Sequence, residues 1–121
     1  MKVIKTSEVK AEPYVTPLFT GGAVTRQPLV TEDMGKSFNM SNISFAAGAK
    51  NKFHTHSTDQ VLIVTSGKGI VATEKEQRTV SLGDLIFIPA GEKHWHGATK
   101  DSAFSHISLT GATSKTQQLE P

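Results

Sequence analysis

Turn-forming residues recur along this chain too often for anything but short strands to fit between them. Gly48, the Gly67–Gly69 stretch, the charged run Glu74-Lys75-Glu76-Gln77, Gly83-Asp84 and Pro89-Ala90-Gly91 punctuate the central part. Breaks at roughly 8–12 residue intervals are the signature of an all-β sandwich or barrel. The intervening segments read as strands: Pro17–Gly22, Ser37–Phe45, Lys52–His56, Gln60–Thr65, Ile70–Thr73, Arg78–Leu82, Leu85–Ile88 and Ala103–Leu109. None carries a helical period. Ser66–Gly69 reads as a hairpin turn closing the Gln60–Thr65 strand, because no P-loop spacing surrounds Gly67-Lys68-Gly69.

At 121 residues the chain fits one domain with its own core. Residues 1–16 are polar and contain Pro13, so they are read as an N-terminal arm. Residues 17–110 form the barrel, and residues 111–121 a polar, loose C-terminal tail. Thirteen basic residues stand against eleven acidic ones, a net charge of +2. They are dispersed, with no like-charge run and no aromatic residues interleaved with arginine, which excludes a nucleic-acid partner. Cysteine is absent. Disulfides, thiolate zinc sites and a cysteine nucleophile are therefore excluded, and a reducing cytoplasm is compatible. Met1–Lys5 lacks the apolar core of a signal peptide. The longest apolar runs, Val61–Val64 and Leu85–Ile88, are too short for a membrane helix. The expectation is a soluble, cytoplasmic protein.

The chemistry begins at His54-Thr55-His56. Residues i and i+2 of a strand point to one face, so the two imidazoles project side by side. Gln60 follows and shares parity with Leu62 and Val64. His94 comes after a strand that ends in Pro89-Ala90-Gly91. A meandering β fold can set it opposite the first pair. Three neutral imidazoles and an amide oxygen suit one divalent manganese, iron, cobalt, nickel or zinc ion, with positions left open for substrate. His96 shares parity with His94, with Trp95 facing away. Phe104, His106 and Ser108 share one face. All five histidines are thus expected to line one cavity, with His96 or His106 as general base.

The spacing of these residues resembles the two motifs of the cupin family. Gly48, His54, His56, Gln60 and Gly67 match the first; Gly83, Pro89, Gly91 and His94 match the second. The 15 residues between Gly67 and Gly83 match the short connection of small microbial cupins. Two departures are present: Gln60 replaces the family's usual glutamate, and Ala98 its usual asparagine. Phe19-Thr20-Gly21, His54 to Gly67, and Gly91 to Ala98 further resemble the small cupins found as bacterial hydroxynitrile lyases. The resemblance covers about residues 17–110. It implies the double-stranded β-helix (jelly-roll) barrel and manganese held by His54, His56, Gln60 and His94. It also implies that His96 and His106 lie near substrate.

A neutral amide in place of a carboxylate leaves the ion its full +2 charge. Lewis acidity rises and high oxidation states are disfavoured. The expected function is a lyase acting on a small hydroxylated substrate such as a cyanohydrin. The alternatives are another metal-dependent cupin enzyme, a dioxygenase or sugar-acid isomerase, and a non-enzymatic binding module. The arm and outward apolar positions such as Ile107 and Leu109 point to a homodimer or higher homo-oligomer.

Overall fold

The computed structural model describes residues 1–121. Apart from one 3₁₀ turn at Thr6–Glu8, its regular structure is entirely β. No helix is long and apolar enough to cross a membrane. In chain order the strands are β1 (Glu12–Pro13), β2 (Phe19–Thr20), β3 (Val24–Val30), β4 (Phe38–Phe45), β5 (Lys50–Asn51) and β6 (His54–His56). They continue with β7 (Gln60–Thr73), β8 (Gln77–Ser81), β9 (Leu85–Ile88), β10 (His94–Ala98), β11 (Phe104–Gly111) and β12 (Thr116–Gln118). All pairings are antiparallel, along the path β1-β3-β4-β11-β7-β10-β5-β2. β9 and β8 also pair with β7, while β6 joins β10 and β12. This curled antiparallel barrel matches the expected all-β, double-stranded β-helix architecture.

β7 is the hinge of the architecture. Its first half pairs with β11 and β9, and its second half with β8 and β10. One strand therefore serves both walls of the barrel. Ser66–Gly69 is not the hairpin turn read from sequence but the middle of this strand. Gly67 makes the passage feasible: its φ is +73°, and a Cβ there would lie 1.9 Å from the Ala103 carbonyl oxygen. Only a residue without a side chain tolerates both demands.

Two further segments differ from expectation. β3 had no counterpart in the sequence reading, because Pro28 interrupts it. The register shifts between Pro28 and Val30. β1 pairs with β3 only at Thr25 and Arg26, leaving Pro28 on an edge where a missing N–H is tolerated. The C-terminal tail is not loose: Thr116, Gln117 and Gln118 pair in register with His56, Thr55 and His54.

The apolar core gathers Val24, Ile43, Phe45, Ala49, Val64, Val71, Val80, Ala98 and Phe104. Phe45 and Phe104 stack at 6.0 Å between centroids, and His106 packs on both, at 5.5 and 5.4 Å. The outer face of the β9–β7–β11 ladder is also apolar. Leu85, Ile63 and Ile107 lie in one cross-strand row, and Phe87, Val61 and Leu109 in the next.

Candidate metal centre and its chamber

Two strands bring three of the histidines together. β6 carries His54 and His56, and β10 pairs with it so that His94 stands directly opposite His54. The ring centroids are 4.3 Å (His54–His94), 4.9 Å (His54–His56) and 5.4 Å (His56–His94) apart. One ligand nitrogen from each lies within 4.8 Å of the others.

Hydrogen bonds behind the rings set their tautomers. His54 Nδ1 lies 2.6 Å from the Lys52 carbonyl oxygen, and His94 Nδ1 2.8 Å from that of Glu92. A carbonyl only accepts, so both Nδ1 atoms carry the proton and both Nε2 atoms present lone pairs. His56 Nδ1 is held at 3.0 Å by the Thr116 hydroxyl, and its Nε2 is buried with no hydrogen-bond partner. Gln60 Oε1 sits 3.1 Å from His94 Nε2, while Gln60 Nε2 donates to Ser108 Oγ at 3.0 Å. Two acceptors thus face each other, an arrangement that a cation between them resolves. Convergent lone pairs, an orphaned buried nitrogen and an apposed amide oxygen form a donor set that fits a divalent transition metal.

Electrostatics prepare the cluster for the same task. Burial lowers His54 to about 3, reinforced by His94 and opposed by the Lys52 carbonyl. Burial lowers His56 to about 4, again helped by His94 and opposed by Gln60. His94 is lowered by burial against the pull of the Glu92 carbonyl and carboxylate. All three are therefore neutral and ligand-ready near pH 7.

A chamber of about 400 Å³ opens beside the cluster. Its walls include His56, Gln60, His96, His106, Asn51 and Arg26. His54 and His94 are not on its wall, so the expectation that all five histidines line one cavity is corrected. These two rings pack against each other and are tied back to carbonyls of their own chain segments. His94 instead borders a second space of about 490 Å³ on the far side, between β7, β8 and β9.

His96 and His106 form a directed hydrogen-bond chain with Asn51. The His96 backbone N–H donates to Asn51 Oδ1 at 2.8 Å, which turns the amide so that Nδ2 faces His96 Nε2 at 3.2 Å. His96 Nε2 therefore accepts, and the neutral ring carries its proton on Nδ1. That proton is donated to His106 Nε2 at 3.1 Å. The proton of His106 must then sit on Nδ1, which is buried without a partner. Burial keeps both rings neutral: His96 lies well below its ordinary value, with the His106 charge next in effect. His106 lies at about 4, with the Ile107 and His106 carbonyls opposing.

Residues 42–109, more than half of the chain, match the family described as the cupin domain. The chain belongs to the cupin family. Over 70 residues it is 37% identical to an (R)-mandelonitrile lyase of Granulicella tundricola, which is 57% of this chain and 53% of the lyase. It thus spans about half the length of that relative. A cupin-like protein of Thermotoga maritima superposes with a TM-score of 0.81 at 28% identity, covering 98% of this cupin and 89% of the other. The polyketide cyclase RemF of Streptomyces resistomycificus superposes at 0.88 with 19% identity, over 100% and 87%, a likeness of fold alone.

Sequence reasoning missed Asn51, Ser108 and Thr116 as parts of this site. Ser108 had a usable signal, since it shares its strand face with His106. Thr116 lay in a segment read as loose. Asn51 stood one residue outside the strand read from Lys52. Ala98, the second departure from the motif, is buried in the apolar cluster.

Proposed function

We propose that this cupin is a metal-dependent lyase acting on a small hydroxylated substrate such as a cyanohydrin. His54, His56, His94 and Gln60 hold the ion, manganese first, with iron, nickel, cobalt or zinc as alternatives. The observation that carries the reading is the placement of two unsatisfied buried nitrogens on one chamber. His56 Nε2 belongs to the metal cluster and His106 Nδ1 to the neutral histidine chain. The similarity to a mandelonitrile lyase supports the substrate class.

The bound ion supplies Lewis acidity toward the substrate hydroxyl, enhanced by the neutral Gln60. In cyanohydrin cleavage the hydroxyl gives up its proton, the carbon–cyanide bond breaks, and the electron pair leaves with cyanide. Aldehyde and hydrogen cyanide result. The polarity of the Asn51–His96–His106 chain refines the expected roles. Neither histidine has a free acceptor nitrogen in this tautomer. His106 Nδ1–H is a donor to the departing cyanide, which takes up the proton released by the hydroxyl. His96 is a positioning residue whose two nitrogens are both engaged.

The test is cyanide release from mandelonitrile by the manganese-loaded protein. His106→Ala is expected to lower turnover by about 10²-fold while keeping stoichiometric metal. Oxygen uptake with catechols and no cyanide would instead support a dioxygenase. Silence in both assays would leave a binding module. The cysteine-free composition supports the cytoplasm as its compartment. The apolar outer rows of β9, β7 and β11 support a homodimer or higher homo-oligomer.

A further inference from the structure

Arg26 is the one strongly cationic group on the chamber wall, and the fold leaves it without a counter-charge. It lies on β3 with Ile43 as its cross-strand partner on β4, and Ile43 in turn partners His106 on β11. Cross-strand partners share a face, so Arg26 and His106 look into the same chamber from positions two strand spacings apart, about 10 Å. The guanidinium carbon is 4.5 Å from the Tyr14 ring centroid, a contact supplied by the N-terminal arm. Tyr14 thus orients the group without neutralising it.

Arg26 Nε is buried with no hydrogen-bond partner, and Arg26 joins no ion pair; the single salt bridge of the chain is Lys93–Glu74. Two carboxylates are near in the fold. Glu12 is the cross-strand partner of Arg26 on β1, and Glu32 lines the chamber. Both are exposed, and neither is within ion-pair distance. A guanidinium stays charged at all working pH values, and a half-buried one without a counter-ion is costly.

The other unsatisfied buried polar atoms point the same way. They are His56 Nε2, His106 Nδ1 and Ser114 Oγ, and every one belongs to a residue of this chamber. Apart from the metal-facing His56, these groups can all donate. The remaining wall mixes the apolar Phe19, Met40, Ile43 and Phe45 with neutral polar side chains such as Asn39 and Thr110. A chamber with unpaired donors, one of them a full positive charge, and an apolar stretch between them fits a ligand that carries an acceptor-rich anion on a partly apolar body.

We propose that Arg26 holds a carboxylate of the substrate, so that the natural small hydroxylated substrate is itself an organic acid. This rests on the chamber being the substrate site, but not on the lyase chemistry.

The test compares 3-phenylpropionate with 3-phenylpropanamide, which have the same shape and differ in charge. Binding is measured by titration calorimetry on the protein as purified and after EDTA treatment. The acid is expected to bind about tenfold more tightly than the amide in both states, as a charge-assisted Arg–carboxylate contact should give. Arg26→Gln is expected to bring the ratio to about one, with amide affinity and metal content unchanged. Arg26→Lys should keep part of the preference and guards against a folding defect in the glutamine variant. An unchanged ratio in Arg26→Gln, a preference that vanishes with EDTA, or equal binding of acid and amide would overturn the proposal. Failure of the lyase reading appears separately, as absence of cyanide release, and leaves the acid–amide ratio standing.

Discussion

At the scale of single residues, the decisive feature is an amide whose orientation is dictated by a backbone donor. Asn51 cannot turn over without losing the His96 N–H, so it imposes one proton arrangement on two histidines. Asn51→Asp should reverse that arrangement. A carboxylate opposite His96 Nε2 accepts only, which moves the His96 proton to Nε2 and leaves His106 Nδ1 as an acceptor. Imidazole ¹⁵N shifts should report the exchange at both rings; unchanged shifts would refute the directed chain. Acid should also find these residues. The unfolded chain protonates histidine below about pH 6.5, whereas native His106 resists down to about 4. Its neutral burial therefore costs stability progressively as pH falls between those values, roughly 3 kcal/mol from this group alone. Urea melts of the metal-free protein at pH 7 and pH 4.5 should show the loss.

At the scale of elements, the site depends on which strands meet. His54, His56 and His94 were legible because strand parity and motif spacing agree, and β10 shows the buried, half-buried, buried alternation expected at His94-Trp95-His96. The barrel was legible from its turns. β3 was not, because Pro28 disguises an edge strand, and the long β7 was cut in two because a glycine that bends a strand looks like one that ends it. β12 was hidden by its polarity: all three of its residues are exposed, and its value lies in its hydrogen bonds. Thr116 ties that strand to the metal cluster through His56 Nδ1. Thr116→Val keeps shape and removes the tie, and metal affinity should fall by about 10–100-fold, the usual cost of losing an outer partner of a ligating histidine. Competition with a fluorescent chelator measures this, and an affinity within twofold of the parent would show that the contact is incidental.

At the scale of the molecule, β7 and β11 present the chamber on one side and the apolar outer sheet face on the other. Leu85 and Phe87 are 62% and 58% exposed and continue the rows of Ile63, Val61, Ile107 and Leu109. Contiguous apolar patches of this kind mark association surfaces. Sedimentation should give a mass of at least twice 13.0 kDa. Phe87→Lys should shift it toward the single chain; a parent that sediments as the single chain would refute self-association.

The pairing of β12 with β6 also places the metal site in time. A chain is made from its N-terminus, and its domains can begin to fold during synthesis. His54, His56, Gln60 and His94 are all joined to the chain before Thr116 is added. A nascent chain halted just short of that residue owns every proposed ligand, yet His56 is free to rotate. Its full affinity for metal is thus acquired late in synthesis, only after the step that adds a threonine hydroxyl.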